Sequence, residues 1–219
     1  MQRCAVVDVG LGNLRSVQKA AQHAADSAGV ECEVHMTGDP DVIARADKVI
    51  MPGQGAFRDC AAALEGGLGD ALRGQINRGT PYLGICLGLQ VLFERSDEAP
   101  GAAGLGVFAG GVERLADGAV DPETGARVKI PHMGWNRLDI RRRGAGPLAV
   151  FDDDSAPFVY FVHSFHAVPG DPSLVAATTQ HGPYRVTAAI HRDNVTATQF
   201  HPEKSQERGL RLLSAFVKG

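Results

Sequence analysis

The chain has 219 residues, 44% of them hydrophobic and 21% charged, and this length and composition predict one globular domain spanning residues 1–219. Its formal net charge is −3 and its basic residues are scattered, which excludes the concentrated basic surface that binds nucleic acid or an anionic membrane. Its four cysteines lie far apart without zinc-ligand spacing, and no apolar run approaches the length of a bilayer span. We therefore expect no metal site and a reducing, cytoplasmic setting.

The first ninety residues alternate between strand and helix patterns. Asn13 is placed to cap the first helix and Gly29 to end it. Strands that alternate with helices predict a parallel sheet covered on both faces. In chain order the pattern predicts a strand at 4–9, a helix from 14 to 28, an edge strand at 31–35, a short helix at 40–46, a strand at 48–51, a helical region at 57–77 broken near residues 66 and 67, and a strand leading into a helix at 80–90.

The pattern changes after residue 101. Short apolar stretches separated by turn residues predict strands at 104–115, 126–130, 158–168, 174–179, 186–190 and 195–200, followed by a final helix at 205–217. The predicted fold is therefore α/β, with a mostly parallel central sheet flanked by helices and a smaller antiparallel sheet element.

A cysteine lies between two glycines where a predicted strand meets a predicted helix. Gly84, Cys86 and Gly88 form the pattern G-x-C-x-G. In such a strained turn the nucleophile projects from the sheet and the next backbone N–H points toward a reacting carbonyl. A small buried cysteine in a glycine-rich loop is the alternative, and this motif alone does not decide between the two.

A histidine and a glutamate follow the last predicted strand. His201 and Glu203 are two residues apart, so in extended backbone both side chains point to one side. There Glu203 can orient His201 while the other ring nitrogen takes the proton of Cys86, which makes the thiol a competent nucleophile. A polar loop after an edge strand is the alternative explanation for the pair.

Two further loops carry paired glycines. In the first, Gly53 and Gly55 flank Gln54, so the peptide is free to flip and to aim a backbone N–H at a developing oxyanion. An ordinary strand-to-helix turn explains this loop equally well. The second loop, with Gly10 and Gly12, lacks the third glycine of a dinucleotide-binding loop and is interpreted as a tight turn.

The segments that carry these patterns resemble a known family. Residues 84–90 (GICLGLQ) and 200–203 (FHPE) are similar to those of the class I, or triad, glutamine amidotransferases, whose glutaminase domains share an α/β sheet and a Cys-His-Glu triad. Residues 8–17, 131–136 and 160–164 extend the resemblance to the glutaminase subunits of imidazole glycerol phosphate synthases. The resemblance implies hydrolysis of L-glutamine to glutamate and ammonia, in histidine biosynthesis, without a cofactor.

The resemblance also implies roles for individual residues. Cys86 is the expected nucleophile, His201 the proton shuttle and Glu203 the residue that orients it. The oxyanion is expected to meet the N–H of Leu87 and, after a peptide flip, one from Gly53, Gln54 or Gly55, although the family usually carries an aliphatic residue where Gln54 stands. The residues expected to hold the main-chain groups of glutamine are Gln90, Glu98, Ser164 and Phe165.

A separate partner is implied as well. Ammonia released into water is lost by protonation and diffusion, so family members pass it to a cyclase subunit, a (β/α)8 barrel, which forms imidazole glycerol phosphate and an aminoimidazole carboxamide ribotide. The expected assembly is a heterodimer. The positions that match the interface of the family are Asn13, Trp135, Tyr160 and Lys204.

Three other functions compete with this one. The chain is consistent with a glutaminase that serves another synthase, such as those for anthranilate, GMP or pyridoxal phosphate, and mixing with candidate synthase subunits discriminates among these. The cysteine motif alone also fits a cysteine peptidase or related thiol hydrolase. A binding subunit that has lost turnover is the third alternative, against which stand the intact Cys86, His201 and Glu203.

Overall fold

Strands and helices alternate through the first ninety residues of the computed structural model, which describes residues 1–219. Every element predicted in this half is present, with small shifts at its ends, and the predicted break near residues 66 and 67 separates two helices. The elements are β1 (Gln2–Val7), α1 (Leu14–Ser27), β2 (Cys32–Thr37), α2 (Pro40–Ala44), β3 (Lys48–Met51), α3 (Phe57–Ala63), α4 (Gly67–Asn77), β4 (Tyr82–Ile85) and α5 (Leu87–Gln90).

Short strands dominate the second half, and a helix follows the last of them. Three 3-10 turns connect these elements, at Gly146–Phe151, Pro172–Leu174 and Pro202–Lys204. The elements are β5 (Phe93–Ser96), β6 (Phe108–Arg114), β7 (His132–Arg137), β8 (Asp139–Ile140), β9 (Phe158–His163), β10 (Phe165–Pro169), β11 (Val175–His181), β12 (Tyr184–Arg192), β13 (Val195–Thr198) and α6 (Gln206–Lys218).

The strands form one large sheet and two small ones. The large sheet has the order β2-β1-β3-β4-β13-β12-β11-β8; its first five strands are parallel and the remaining three antiparallel. Strands β10, β6 and β5 form a second sheet, and β7 and β9 form a separate antiparallel pair, here called the β7–β9 ribbon. The predicted fold class, a mostly parallel sheet with a smaller antiparallel element, is confirmed.

Helices bury an apolar stripe on each face of the large sheet. On one face, Val17 and Ala21 of α1 and Leu213 of α6 pack with sheet residues in a single cluster. On the other face, α3 and α4 contribute residues such as Phe57 and Leu72 to the largest cluster. Burial of such side chains contributes about 1.5–3 kcal/mol each. No helix combines the length and hydropathy needed to cross a membrane.

The arrangement of β4 and β13 decides where chemistry is placed. These strands are parallel neighbours, with Ile85 paired to Thr198. Because the carboxyl ends of parallel strands open at the same edge of a sheet, the residues that follow Ile85 and Thr198 meet there. That edge therefore receives Cys86 from one strand and His201 from the other.

Some predicted strands of the second half were wrong. No strand forms at residues 126–130, because Asp121 accepts the N–H groups of Glu123 and Thr124 at 2.9 Å and closes a local loop instead. The predicted strand at 158–168 divides at Ser164, where the chain leaves the β7–β9 ribbon to pair with β6. Strands β5, β7 and β8 were not predicted.

Candidate active site

Cys86 occupies a strained turn between β4 and α5. Its φ is +55°, a conformation that costs a non-glycine residue about 1–3 kcal/mol. The backbone N–H of Cys86 donates to the carbonyl of Thr198 at 2.7 Å, which ties the turn to β13. A Cβ at Gly84 would overlap the carbonyl of Gly88, and a Cβ at Gly88 would overlap the carbonyl of Met51. Both glycines of the G-x-C-x-G motif are therefore required by close backbone packing.

The sulfur of Cys86 lies at the wall of a cavity of about 360 Å³. Only 8% of the residue is exposed, so the cavity is the route by which a ligand reaches it. The side-chain amide of Gln199 donates to Sγ at 3.5 Å. A volume of this size lies at the lower end of the range for small-molecule sites and accommodates an amino acid.

His201 and Glu203 form a buried pair. Nδ1 of His201 lies 2.8 Å from Oε1 of Glu203, and the two side chains are 1% and 2% exposed. The pair meets through the 3-10 turn Pro202–Lys204, whereas the sequence predicted extended backbone. Because Nδ1 donates to Glu203, the second ring nitrogen, Nε2, is left for other partners, and it makes no hydrogen bond in this structure.

The charge of His201 follows from its neighbours. Burial opposes a charge on the imidazole, but the Cys86 sulfur and the Glu203 carboxylate favour one, and the pKa of His201 rises from 6.5 to about 9. His201 therefore carries its extra proton at neutral pH, and an imidazolium stabilises a neighbouring thiolate.

Replacing Glu203 with glutamine is expected to lower the pKa of His201. The amide keeps an oxygen to accept from Nδ1 but removes the charge, while the burial that opposes protonation remains. Because the folded-state pKa of about 9 exceeds 6.5, protonated His201 stabilises the fold fully below about pH 6.5, and this contribution disappears as the pH rises through 9. In Glu203→Gln the loss moves to lower pH. Titration of the His201 ring by NMR measures this shift, and an unchanged midpoint near 9 would contradict it.

The predicted oxyanion loop covers the N–H of Leu87. That N–H points to the carbonyl of Gly53 at 3.4 Å, so the donor next to the nucleophile is occupied by the chain itself. Gly12, with φ of +90°, packs on the same loop, and a Cβ there would lie 3.0 Å from the backbone nitrogen of Gln54. Gln54 and Gly55 line the cavity beside Cys86.

The residues predicted to hold glutamine are brought together around Cys86. Gln90, Glu98, Ser164 and Phe165 all line the same cavity. The side-chain amide of Gln90 donates to the carbonyl of Phe165 at 3.0 Å. One oxygen of Glu98 accepts the N–H of Phe57 at 3.1 Å, at the start of the helix that follows the oxyanion loop.

Three of the four predicted interface residues cluster at the surface. Trp135 and Tyr160 are opposite one another on the β7–β9 ribbon, with ring centroids 6.1 Å apart, and Nζ of Lys204 lies 5.9 Å from the Tyr160 ring. Trp135 is 46% exposed, so it is a surface residue and not part of the core. The fourth residue, Asn13, caps α1 by accepting the N–H of Ser16 at 3.4 Å.

The ribbon is also bonded to the histidine segment. The carbonyl of Tyr160 accepts the backbone N–H of His201 at 2.9 Å, and the N–H of Tyr160 donates to Oγ of Ser205 at 3.0 Å. A partner that contacts Tyr160 on the outer face of the ribbon therefore touches a residue that is hydrogen-bonded to the backbone of His201.

Sequence reasoning missed three residues of this site. Gln199 contacts the nucleophile, and Val162 and His163 line the cavity. Gln199 is completely buried and lies within the strand predicted at 195–200, but nothing in the sequence places its side-chain amide beside Cys86. His163 lies within residues 160–164, which carry the family resemblance, but its place in the cavity wall depends on contacts distant in sequence, such as the one with His132, 31 positions away.

Comparison with known proteins identifies the family of this chain. A family model described as class I glutamine amidotransferase matches residues 6–218. The chain belongs to the class I glutamine amidotransferase family. This membership confirms the resemblance inferred from the two motifs, and it makes the protein an enzyme of that class.

Two relatives place the chain more closely within the amidotransferases. A protein of Syntrophotalea carbinolica named imidazole glycerol phosphate synthase subunit HisH is 48% identical over 213 residues, which cover 96% of this chain and 97% of the relative. The protein of the same name from Geobacter metallireducens is 46% identical over 218 residues, covering 99% and 98%. The chain is therefore a member of the HisH group of this amidotransferase family.

A solved structure shares the fold at much lower identity. PurLQS from Thermotoga maritima matches with a TM-score of 0.71 and 19% identity, over 99% of this chain and 98% of that one. The similarity extends over the large sheet and its helices, as expected for a class I amidotransferase.

Proposed function

We propose that this amidotransferase is the glutaminase subunit of imidazole glycerol phosphate synthase, built as one domain over residues 1–219, with Cys86, His201 and Glu203 as its catalytic triad. The observation that carries the proposal is the buried His201–Glu203 pair at the carboxyl end of β13, next to a cysteine held at positive φ at the end of β4. The names of the HisH relatives support the identity of the synthase.

The first half-reaction releases ammonia. The thiolate of Cys86 attacks the side-chain amide carbon of glutamine and forms a tetrahedral oxyanion. Protonated His201 then gives its proton to the amide nitrogen, the C–N bond breaks, and ammonia leaves a glutamyl thioester on Cys86. Glu203 stabilises the charged ring and keeps Nε2 directed at the reaction.

The second half-reaction releases glutamate. Neutral His201 takes a proton from water, which attacks the thioester carbonyl, and the C–S bond breaks as Cys86 leaves as a thiolate. His201 ends this step protonated, so the starting state is restored. Each turnover consumes one glutamine and one water and yields one glutamate and one ammonia.

The cavity residues fit a free amino acid. The Glu98 carboxylate suits the ammonium group of glutamine, while Ser164 and Phe165 offer main-chain groups to the rest of its backbone. The side-chain amide of Gln90 donates to the Phe165 carbonyl and holds it in place. This arrangement favours a free amino acid over a peptide bond, which argues against the peptidase alternative.

The covered N–H of Leu87 implies a resting state. While the carbonyl of Gly53 accepts this N–H, the oxyanion has no free donor next to Cys86. Rotating the peptide between Gly53 and Gln54 releases the N–H of Leu87 and turns the N–H of Gln54 toward the developing oxyanion. The rotation changes ψ of Gly53 and φ of Gln54, and Gly53 accepts its part of the change at low cost.

The partner is proposed to dock on the outer face of the β7–β9 ribbon. Met133, Trp135 and Phe158 are exposed there, and an exposed apolar patch with an aromatic anchor is typical of a protein interface. With Tyr160 and Lys204 beside it, and Asn13 near the oxyanion loop, the docked cyclase covers the cavity and receives ammonia before water does. We place this heterodimer in the cytoplasm, in keeping with its biosynthetic role.

A coupled assay with the purified cyclase subunit tests the proposal. The complex is expected to form imidazole glycerol phosphate with either glutamine or an ammonium salt as the nitrogen source. The cyclase alone is expected to use only ammonium. Synthesis from glutamine with the subunit of a different synthase, and not with this cyclase, would overturn the assignment.

A further inference from the structure

The inner face of the β7–β9 ribbon carries a pair of imidazoles outside the triad. His132 and His163 lie opposite one another on the two strands, 3% and 6% exposed, and Nδ1 of His132 lies 2.9 Å from Nε2 of His163. His132 is enclosed by two rings, with the Phe161 centroid at 4.7 Å and the His181 centroid at 4.1 Å. The mechanism above uses neither His132 nor His163.

The hydrogen bonds at both ends of this pair fix which nitrogen carries each proton. Nδ1 of His163 lies 2.9 Å from the carbonyl of Phe165, which only accepts, so this nitrogen is protonated. Nε2 of a neutral His163 then accepts from Nδ1 of His132. Nε2 of His132 in turn lies 3.1 Å from the side-chain amide nitrogen of Asn136, which only donates. Every bond in the row therefore points from Asn136 toward Phe165.

Both rings stay neutral, which keeps this direction fixed. Burial lowers the pKa of His132 to about 3. Burial, together with the neighbouring His132, lowers the pKa of His163 well below its usual value. Neither ring gains a second proton at physiological pH, so the row does not reverse.

The row ends at the wall of the glutamine cavity. The carbonyl of Phe165 accepts from His163 and also from Gln90, at 3.0 Å. The same Gln90 nitrogen donates to the side-chain oxygen Oε1 of Gln199 at 3.2 Å, and the side-chain nitrogen Nε2 of Gln199 donates to Sγ of Cys86 at 3.5 Å. A continuous series of hydrogen bonds thus joins the ribbon to the nucleophile.

We propose that His132 and His163 are positioning residues for the glutamine cavity, acting through the carbonyl of Phe165. His163 fixes the bend at Ser164, where the chain leaves the ribbon, and so sets the main-chain groups that meet the substrate. His132 acts indirectly. Its Nδ1–H donates to Nε2 of His163, so the proton of His163 stays on Nδ1 and is donated to the carbonyl of Phe165. The inference rests on the proposed glutaminase function, because it assigns these residues to glutamine binding.

The effect is expected in KM. The groups that Phe165 and Ser164 offer to glutamine bind its non-reacting end, which is held equally before and during the reaction. In the complex with the cyclase, His132→Phe keeps the ring stacking but removes the donor, and is expected to raise the KM for glutamine about tenfold with kcat within about twofold. His132→Asn restores a donor at the position of Nδ1 and is expected to return KM to within about twofold of the original.

His181→Phe is the matched control. It keeps the ring that stacks on His132 and lies outside the row, so KM for glutamine is expected to stay unchanged. An unchanged KM in His132→Phe, or an equal defect in His132→Asn and His132→Phe, would overturn the proposal. If the unsubstituted complex shows no turnover of glutamine, the proposed function itself fails, which is a separate outcome.

If a variant does not fold, the inference is tested by a measurement on the unsubstituted protein. Ring 15N shifts are expected to show both His132 and His163 neutral and protonated at Nδ1. A proton on Nε2 of either ring would contradict the direction of the row and overturn the inference.

Discussion

Replacing Cys86 with alanine is expected to abolish glutamine-dependent synthesis by the complex while synthesis from ammonium salts continues. Loss of the nucleophile removes the thioester pathway, with an expected fall of at least about 10³-fold in kcat with glutamine. The ammonium reaction is expected to take place in the partner and so does not need the thiol of Cys86. Alanine keeps the Cβ of cysteine at positive φ, so the turn is preserved. The two rates are measured in the same coupled assay.

Cys32→Ala is the control for this variant. The neighbouring Cys4 thiol lowers the pKa of Cys32, which is a second buried thiol and lies outside the cavity. Because Cys32 lies outside the cavity, Cys32→Ala is expected to leave both glutamine-dependent and ammonium-dependent synthesis unchanged. Loss of both reactions in Cys86→Ala would argue against transfer of ammonia between subunits.

The isolated chain is expected to hydrolyse glutamine slowly, and the substrate-loaded partner is expected to accelerate it by about 10²- to 10³-fold. This range corresponds to one oxyanion donor, the N–H of Leu87, which the carbonyl of Gly53 occupies at 3.4 Å. Glutamate release, measured with and without the cyclase and its substrate, gives the ratio. A fast rate in the chain alone would contradict the resting state.

A pair of glycine variants locates the effect in the loop. Gly12 and Gly10 both have positive φ, so alanine strains the backbone at each. A Cβ at Gly12 presses on the backbone of Gln54, while one at Gly10 meets nothing within 4 Å. Gly12→Ala is therefore expected to reduce acceleration by the partner, and Gly10→Ala is expected to leave it unchanged. Equal effects would show that backbone strain alone is responsible.

Much of the fold was predictable from local patterns. In the first half, caps and glycines mark the ends of several elements, as Asn13 and Gly29 do for α1, and the buried strand β3 is apolar after its first residue, Lys48. In the second half, pairing partners are distant, and the sequence does not show that the chain changes sheets at Ser164. A loop closed by hydrogen bonds to Asp121 stands next to residues 126–130, where a strand was predicted, and these local bonds are not visible in the apolar pattern.

The candidate site also combines features that the sequence predicted with features that it did not. The cysteine turn was predictable because its two glycines stand close to Cys86 in the sequence, although the contact that requires Gly88 is with Met51, far along the chain. The position of Gln199 beside Cys86 was not, since the two are 113 residues apart. The orientation of the Gly53 carbonyl was also beyond prediction, because one peptide rotation decides it and the same residues allow both states.

The pairing of β4 with β13 has a consequence for synthesis on the ribosome. Residues 1–90 can assemble β2, β1, β3 and β4 as the chain emerges, but β4 remains an edge strand until residues 195–198 arrive beside it. His201 and Glu203 emerge immediately after that strand. Between the synthesis of Cys86 and that of His201, the nascent chain therefore carries the thiol without the residues that activate it. Hydrolysis of glutamine cannot begin until the polypeptide is nearly complete.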